Sequence, residues 1–193
     1  MVTRCIALAI CSCLVAVLSV VAGIPLDVDC SRRQNVNTVR GCCAYPTLNF
    51  DQFRKQCGKH MPVGSPKISP CLYECIFNAT NVLEGSEVNP SNTRSMLERL
   101  LGNNQDFLEA YVEGMLNCSD TVEAMLKNRR PRHPQSSECS PVAVYFAICT
   151  QSFVFNHCPS SSWAGTDACE TARLQSLNCP NNQLSRGAGL KKQ

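Results

Sequence analysis

The sequence contains no CxxC pair, no GxSxG or HExxH run and no internal repeat. The usual zinc-ribbon spacing, the hydrolase nucleophile elbow and the zinc-protease helix are thereby excluded. Valine-rich alternation bounded by hairpin turns is also missing, which argues against an all-β scaffold. Beyond the first 23 residues no stretch is long and apolar enough to span a bilayer. The net charge is only +3 over 193 residues, too little to steer the chain to nucleic acid. Histidine is scarce: His60, His133 and His157 are the three present, and His157 alone falls on a helical segment. Neither catalysis nor a histidine-driven pH switch is expected from them.

Cysteine is what the sequence has in abundance. The opening stretch MVTRCIALAICSCLVAVLSVVAG sets one arginine ahead of an apolar run that closes on Val21-Ala22-Gly23, the pattern of a secretory signal peptide over residues 1–23. Residues 24–193 are then expected to form one secreted, extracellular domain with a disordered polar tail from about residue 181. Losing Cys5, Cys11 and Cys13 with the signal turns fifteen cysteines into twelve. An even number in an oxidising compartment predicts six disulfides and no metal site. The sequence by itself allows on the order of ten thousand pairings, extending the count that gives 105 for eight.

The remaining signals are helical. TLNFDQFRKQC sets Phe50, Phe53 and Cys57 on one helical face, with Gly58 as a stop. Ser69-Pro70 reads as an N-cap and first-turn proline, predicting a helix from Pro70 to about Leu83. A second is expected between Asn92 and Leu101, closed by Gly102 in a left-handed cap. NQDFLEAYVEGMLNC places Phe107, Leu108, Tyr111, Val112, Met115 and Leu116 on one stripe, and Asp120-Thr-Val-Glu123 reads as a capping box for a short helix through Leu126. KNRRPRHPQSSE is a solvated loop. Ser140-Pro141 opens a helix that stops at Pro159, apolar on several sides, and a last helix covers Asp167 to Leu177. The sum is six to eight helices with essentially no sheet.

Cysteine spacing on these helices limits the bridges. In CTQSFVFNHCP, Cys149 and Cys158 lie nine residues apart, about 900° around a helix and about 13 Å along it, on opposite faces. They must staple one central helix to two different neighbours. In CLYEC, Cys71 and Cys75 share a face with Cβ atoms about 5–6 Å apart, against about 3.5–4.5 Å in a disulfide. Those two therefore bond elsewhere, and adjacent Cys42 and Cys43 need separate partners.

Cys71-x3-Cys75, the 42 residues to Cys118 and Cys149-x8-Cys158 resemble the six-cysteine framework of insect odorant-binding proteins. Pro159 after the last of these, the extra Cys139 and the trailing Cys169 and Cys179 are similar to the Plus-C subgroup, over nearly the whole span from Cys30 to Cys179. The resemblance implies an all-α, compact, disulfide-stapled bundle around an apolar cavity, with N- and C-terminal extensions. It implies pairing of first with third, second with fifth and fourth with sixth cysteine, hence Cys71 with Cys149 and Cys118 with Cys158. Cys75 would take Cys57, or Cys43 as the rival. With Cys57 used, Cys30, Cys42 and Cys43 are left to bridge to Cys139, Cys169 and Cys179.

The implied function is carriage of small, apolar, volatile ligands through aqueous lymph to receptors at a membrane, with no cofactor and no catalysis; the carrier could also dimerise. A ligand burying roughly 300 Å² of apolar surface gains about 7 kcal/mol before association costs, which suits micromolar binding and release. Candidate lining residues are Phe107, Leu108, Tyr111 and Met115 on the amphipathic helix, Phe146 and Phe153 on the central one, and Leu72, Ile76, Met96 and Leu100. Each is equally suited to plain core duty. Two other readings compete. The Cys42-Cys43 pair is faintly like that of secreted phospholipases, but Ala44-Tyr45 follows where a His-Asp would activate water; the other is a disulfide-rich module for a protein partner without a small-molecule cavity. Asn78-Ala79-Thr80 and Asn117-Cys118-Ser119 match the glycosylation pattern.

Overall fold

The computed structural model describes residues 28–31, 36–61, 69–84, 87–128 and 139–179, those at 36–38 by backbone alone. The expected signal peptide, most of the basic loop and the expected disordered tail lie outside the described residues. Eight α-helices make up the described fold: α1 (Val36–Cys42), α2 (Arg54–Cys57), α3 (Pro70–Thr80), α4 (Pro90–Leu101), α5 (Leu108–Asn117), α6 (Ser119–Lys127), α7 (Val142–Asn156) and α8 (Asp167–Asn178). The sheet among the described residues is one two-stranded hairpin, β1 (Leu83–Glu84) against β2 (Glu87–Val88), with Leu83 opposite Val88. The all-α, disulfide-stapled bundle is thus the fold observed.

Local chemistry explains the helix starts. Ser69 Oγ accepts from the Leu72 N–H at 3.3 Å and Asn89 Oδ1 from the Asn92 N–H at 2.9 Å, each followed by proline at the first position. Both satisfy an N–H that the helix itself cannot. Four expectations need correction. The segment from Phe50 is not one α-helix but 3₁₀, α and 3₁₀ turns in series, continuing through Gly58 to His60; Phe53 and Cys57 are still fully buried. α3 stops at Thr80, because Asn81 adopts the left-handed conformation (φ 49°) and turns the chain into the hairpin. Gly102 ends α4 with φ 57° but ψ −116°, outside the left-handed helical region. No capping box forms at α6, which starts at Ser119 on Cys118 with no side-chain cap, while Glu123 pairs with Lys127 at 2.6 Å.

α7 is the central strut. Of residues 142–156 only Gln151 is exposed, as expected for a helix apolar on most of its faces. It packs on α3, α5, α6 and α8. The closest approach is to α5, where Gly114 faces Thr150 and Phe153: an added Cβ there would lie 3.0 Å from Thr150 Cγ2 and 3.2 Å from Phe153 Cβ. The α5 stripe is buried from Phe107 to Met115 as expected, but Leu116 falls at its edge and is 37 % exposed. α4 and α5 are further tied by a two-pronged Arg94–Glu109 ion pair at 2.7 Å.

All twelve cysteines of residues 28–179 are in disulfides: Cys30–Cys179, Cys42–Cys169, Cys43–Cys158, Cys57–Cys75, Cys71–Cys139 and Cys118–Cys149. As the spacing required, Cys149 and Cys158 go to two different neighbours, Cys71 and Cys75 to two others, and Cys42 and Cys43 part company. The assignment of Cys71 to Cys149 and of Cys118 to Cys158 is overturned. Cys139 sits just ahead of α7 and meets the first turn of α3, whereas Cys149 lies midway along α7 against the α5–α6 junction. Cys158 follows the end of α7, where residues 42–44 pair with 162–164 through Ala44 N–H to Ser162 O at 2.8 Å and Ala164 N–H to Cys42 O at 2.9 Å. That short pairing brings Cys43, not Cys118, to Cys158. Three bridges therefore join the N-terminal segment to the C-terminal one, a second smaller core forming there around Cys42, Phe155, Cys169 and Ala172.

Candidate ligand site

Two hollows beside the main core are lined by described residues. A small cavity of about 70 Å³, open to solvent on one side, is lined by Leu48, Phe50, Tyr73, Ile76, Phe77, Met96, Leu97, Leu100, Tyr111, Met115, Ala147, Thr150 and the exposed Gln151. It lies where α3, α4, α5 and α7 converge, each contributing one apolar stripe. A larger groove of about 530 Å³ opens on the surface between α3, α6 and α7, with Phe77, Leu83, Val122, Leu126, Val142, Ala143 and Phe146 as its apolar floor and Glu74, Asp120 and Glu123 at its rim.

Five of the ten candidate ligand residues line the small cavity: Ile76, Met96, Leu100, Tyr111 and Met115. Phe146 lines the groove instead. The other four border neither hollow. Leu72, Phe107 and Leu108 are buried in the core, Phe107 with its ring 6.4 Å from that of Tyr111. Phe153 turns outward along α7 to stack on His157 at 4.0 Å, beside Gly114. Sequence reasoning missed Leu48, Phe50, Tyr73, Phe77, Leu97, Ala147, Thr150 and Gln151 as lining residues. Phe77 and Leu97 each follow a named candidate by one residue, so a wider stripe on α3 and α4 was the available signal; Leu48 lies in an irregular stretch with no periodicity to read.

The cavity has one polar side. Tyr111 donates to Gln151 Oε1 at 3.4 Å. Burial raises the phenol pKa of Tyr45, Tyr73 and Tyr111 above the ordinary value, Tyr111 most of all, the nearby phenols adding to the effect there. All three are neutral donors at physiological pH. Thr150 is 2 % exposed, and its Oγ1 has no partner. Of the described histidines, His157 turns Nδ1 to Phe153 O at 2.9 Å and His60 lies in a 3₁₀ turn, apart from both hollows. Asn78, the first residue of one glycosylation pattern, is exposed at the groove; Asn117, of the other, is exposed with its amide on Glu113 O at 2.8 Å.

No family model matches the chain, and no curated protein matches it. Six disulfides belong to an oxidising compartment. Among the described residues no helix is long and apolar enough to cross a membrane.

Proposed function

We propose that this chain is a secreted, non-catalytic carrier of small apolar molecules, comparable in role to the insect odorant-binding proteins it resembles. The observation that carries this reading is the apolar cavity at the meeting point of four helices that disulfides clamp from outside. Bridges worth about 2–4 kcal/mol each relieve the core of supplying all the stability, so an unfilled volume at its centre is tolerated. The pairing order supports the same reading: first with third, second with fifth and fourth with sixth recur, displaced along the chain, on Cys57, Cys71, Cys75, Cys118, Cys139 and Cys149. Delivery to a receptor at a membrane surface belongs to this role.

The cavity of about 70 Å³ is about half of the ~150 Å³ that accommodates benzene in an engineered core. A volatile ligand of ordinary size must therefore displace side chains, and Met96 and Met115 on the wall are the most adaptable. The rival reading, a module for a protein partner, draws on the larger volume of the groove. Uptake of N-phenyl-1-naphthylamine by purified, fully oxidised protein decides between them. A carrier gives a fluorescence rise with micromolar dissociation constant and loses it to small apolar competitors; no uptake by protein with all bridges verified overturns the carrier reading.

A further inference from the structure

The acceptor pattern Asn78-Ala79-Thr80 closes α3, and its asparagine stands at the groove. Asn78 is exposed, and its side-chain amide bonds no described residue. Ala79 beside it is small and exposed as well, so a bulky group on the amide nitrogen meets no wall there. Thr80 is placed otherwise: its hydroxyl turns back to donate to Ile76 O at 2.7 Å. The folded helix therefore withholds the hydroxyl that defines the pattern, and a sugar has to be added earlier. The chain allows for that. α3 has 11 residues, short of the roughly 12–15 that an isolated helix needs in water. It is held by α4 and α7 and by the Cys71–Cys139 bridge, whose second cysteine follows the first by 68 residues. Along a secretory route, residues 78–80 are thus unwound when they reach the oxidising compartment, ahead of the helices that fix them. At the other pattern the Asn117 amide is taken by Glu113 O at 2.8 Å, and the middle residue is Cys118, buried and bridged to Cys149.

We propose that Asn78 carries an N-linked oligosaccharide, and that its sugars stand over the α3 edge of the groove. The transfer joins Nδ2 of Asn78 to the anomeric carbon of the first sugar as the bond from that carbon to a lipid diphosphate breaks; the diphosphate leaves with the electron pair, and the amide gives up one proton. The proposal needs only the secreted part of the carrier reading. Glu74, one turn before Asn78 on the same face of α3, lines the groove too, so the glycan is rooted among the lining residues. Asp120 and Glu123 bound the other side on α6, above an apolar floor that includes Phe77, Val122 and Leu126. An open apolar surface with a polar rim otherwise marks a protein contact or an aggregation hazard. A bulky, solubilising group at its edge keeps a protein face from seating there, which closes the groove to a macromolecular partner while small molecules still pass.

Expression of the full chain in mammalian secretory cells tests this. Protein recovered from the medium should lose the mass of an oligosaccharide on treatment with peptide N-glycosidase F, the peptide map showing the Asn78 amide converted to a carboxylate. Asn78→Gln and Thr80→Ala should each abolish the glycan at that position with helical circular dichroism kept, and Thr80→Ser should retain it. Carbodiimide labelling of Glu74 should be slower in the glycosylated protein than in the Asn78→Gln variant, with Glu113, which lines neither hollow, labelled alike in both. Secreted protein with Asn78 unmodified, or with sugar on Asn117 alone, overturns the site while leaving carriage standing. Equal labelling of Glu74 overturns the glycan's place over the groove. A chain that stays in the cells without a glycan overturns the secreted reading and the site with it.

Discussion

Gln151 is the single exposed residue of α7, and it is also the polar anchor of the cavity, accepting from Tyr111. The phenols of Tyr45, Tyr73 and Tyr111 carry pKa values raised chiefly by burial, and this has a definite pH signature. Below about pH 10, the ordinary phenol value, all three are protonated in the folded and unfolded chain alike, so their contribution is fully present. As pH rises past that value, the unfolded chain releases its protons first and folding is progressively disfavoured. Rapid denaturant titrations between pH 7 and 11.5 should show level stability to about pH 10 and a fall beyond it. Tyr111→Phe should shallow that fall, and an equally steep loss in the variant would disprove the assignment.

At the scale of elements, the α5–α7 seam is fixed by what Gly114 leaves out. Glycine in a helix interior ordinarily costs about 1 kcal/mol relative to alanine, yet here a Cβ would press on two side chains of α7 at 3.0 and 3.2 Å. Thr150 is β-branched and stiff, and the Phe153 atom concerned is its Cβ, so neither yields cheaply. Overpacking of this kind costs about 1–3 kcal/mol. Gly114→Ala is expected to lower stability by about 1 kcal/mol net, and Gly114→Leu by considerably more, as read from thermal melts. A more stable alanine variant would show that the seam can open.

Helices whose signal is local were legible in the sequence. Ser69-Pro70 and the stripe from Phe107 to Met115 needed only neighbouring residues to read, and α8 starts at the expected Asp167. Elements decided by distant contacts were not. The Asp120 capping pattern lost to a helix already started at Ser119, and the hairpin after Asn81 carries no β-rich run. Half of the candidate cavity residues were found because α4 and α5 turn one clear face inward; Phe153 was misplaced because α7 is apolar nearly all round and its periodicity does not say which apolar residue faces which neighbour.

For the whole molecule, the disulfides divide by span. Cys57–Cys75 closes 18 residues of sequence and Cys42–Cys169 closes 127. With Cys43–Cys158 in place beside it, the loop that Cys42–Cys169 closes shrinks to about a dozen residues, so on the loop-entropy account each bridge contributes about 3 kcal/mol. Replacing both members of Cys42–Cys169 by serine should therefore destabilise the protein by about as much as the same change at Cys57–Cys75, despite the sevenfold longer span, measured by denaturant midpoint with the other bridges intact. A much smaller loss at Cys42–Cys169 would mean that the small core around Phe155 and Trp163 holds the extensions together without its sulfur link. The pairs that spacing could not resolve, Cys71–Cys139 and Cys118–Cys149, were settled by where α7 begins relative to α3, a three-dimensional fact.

The three longest spans have a consequence for biosynthesis. Cys30, Cys42 and Cys43 leave the ribosome 149, 127 and 115 residues ahead of Cys179, Cys169 and Cys158, a wait on the order of ten seconds at about 5–20 residues per second. Throughout that interval the cysteines within their reach are not their native mates, so any link formed early has to be undone by thiol exchange once the C-terminal segment arrives.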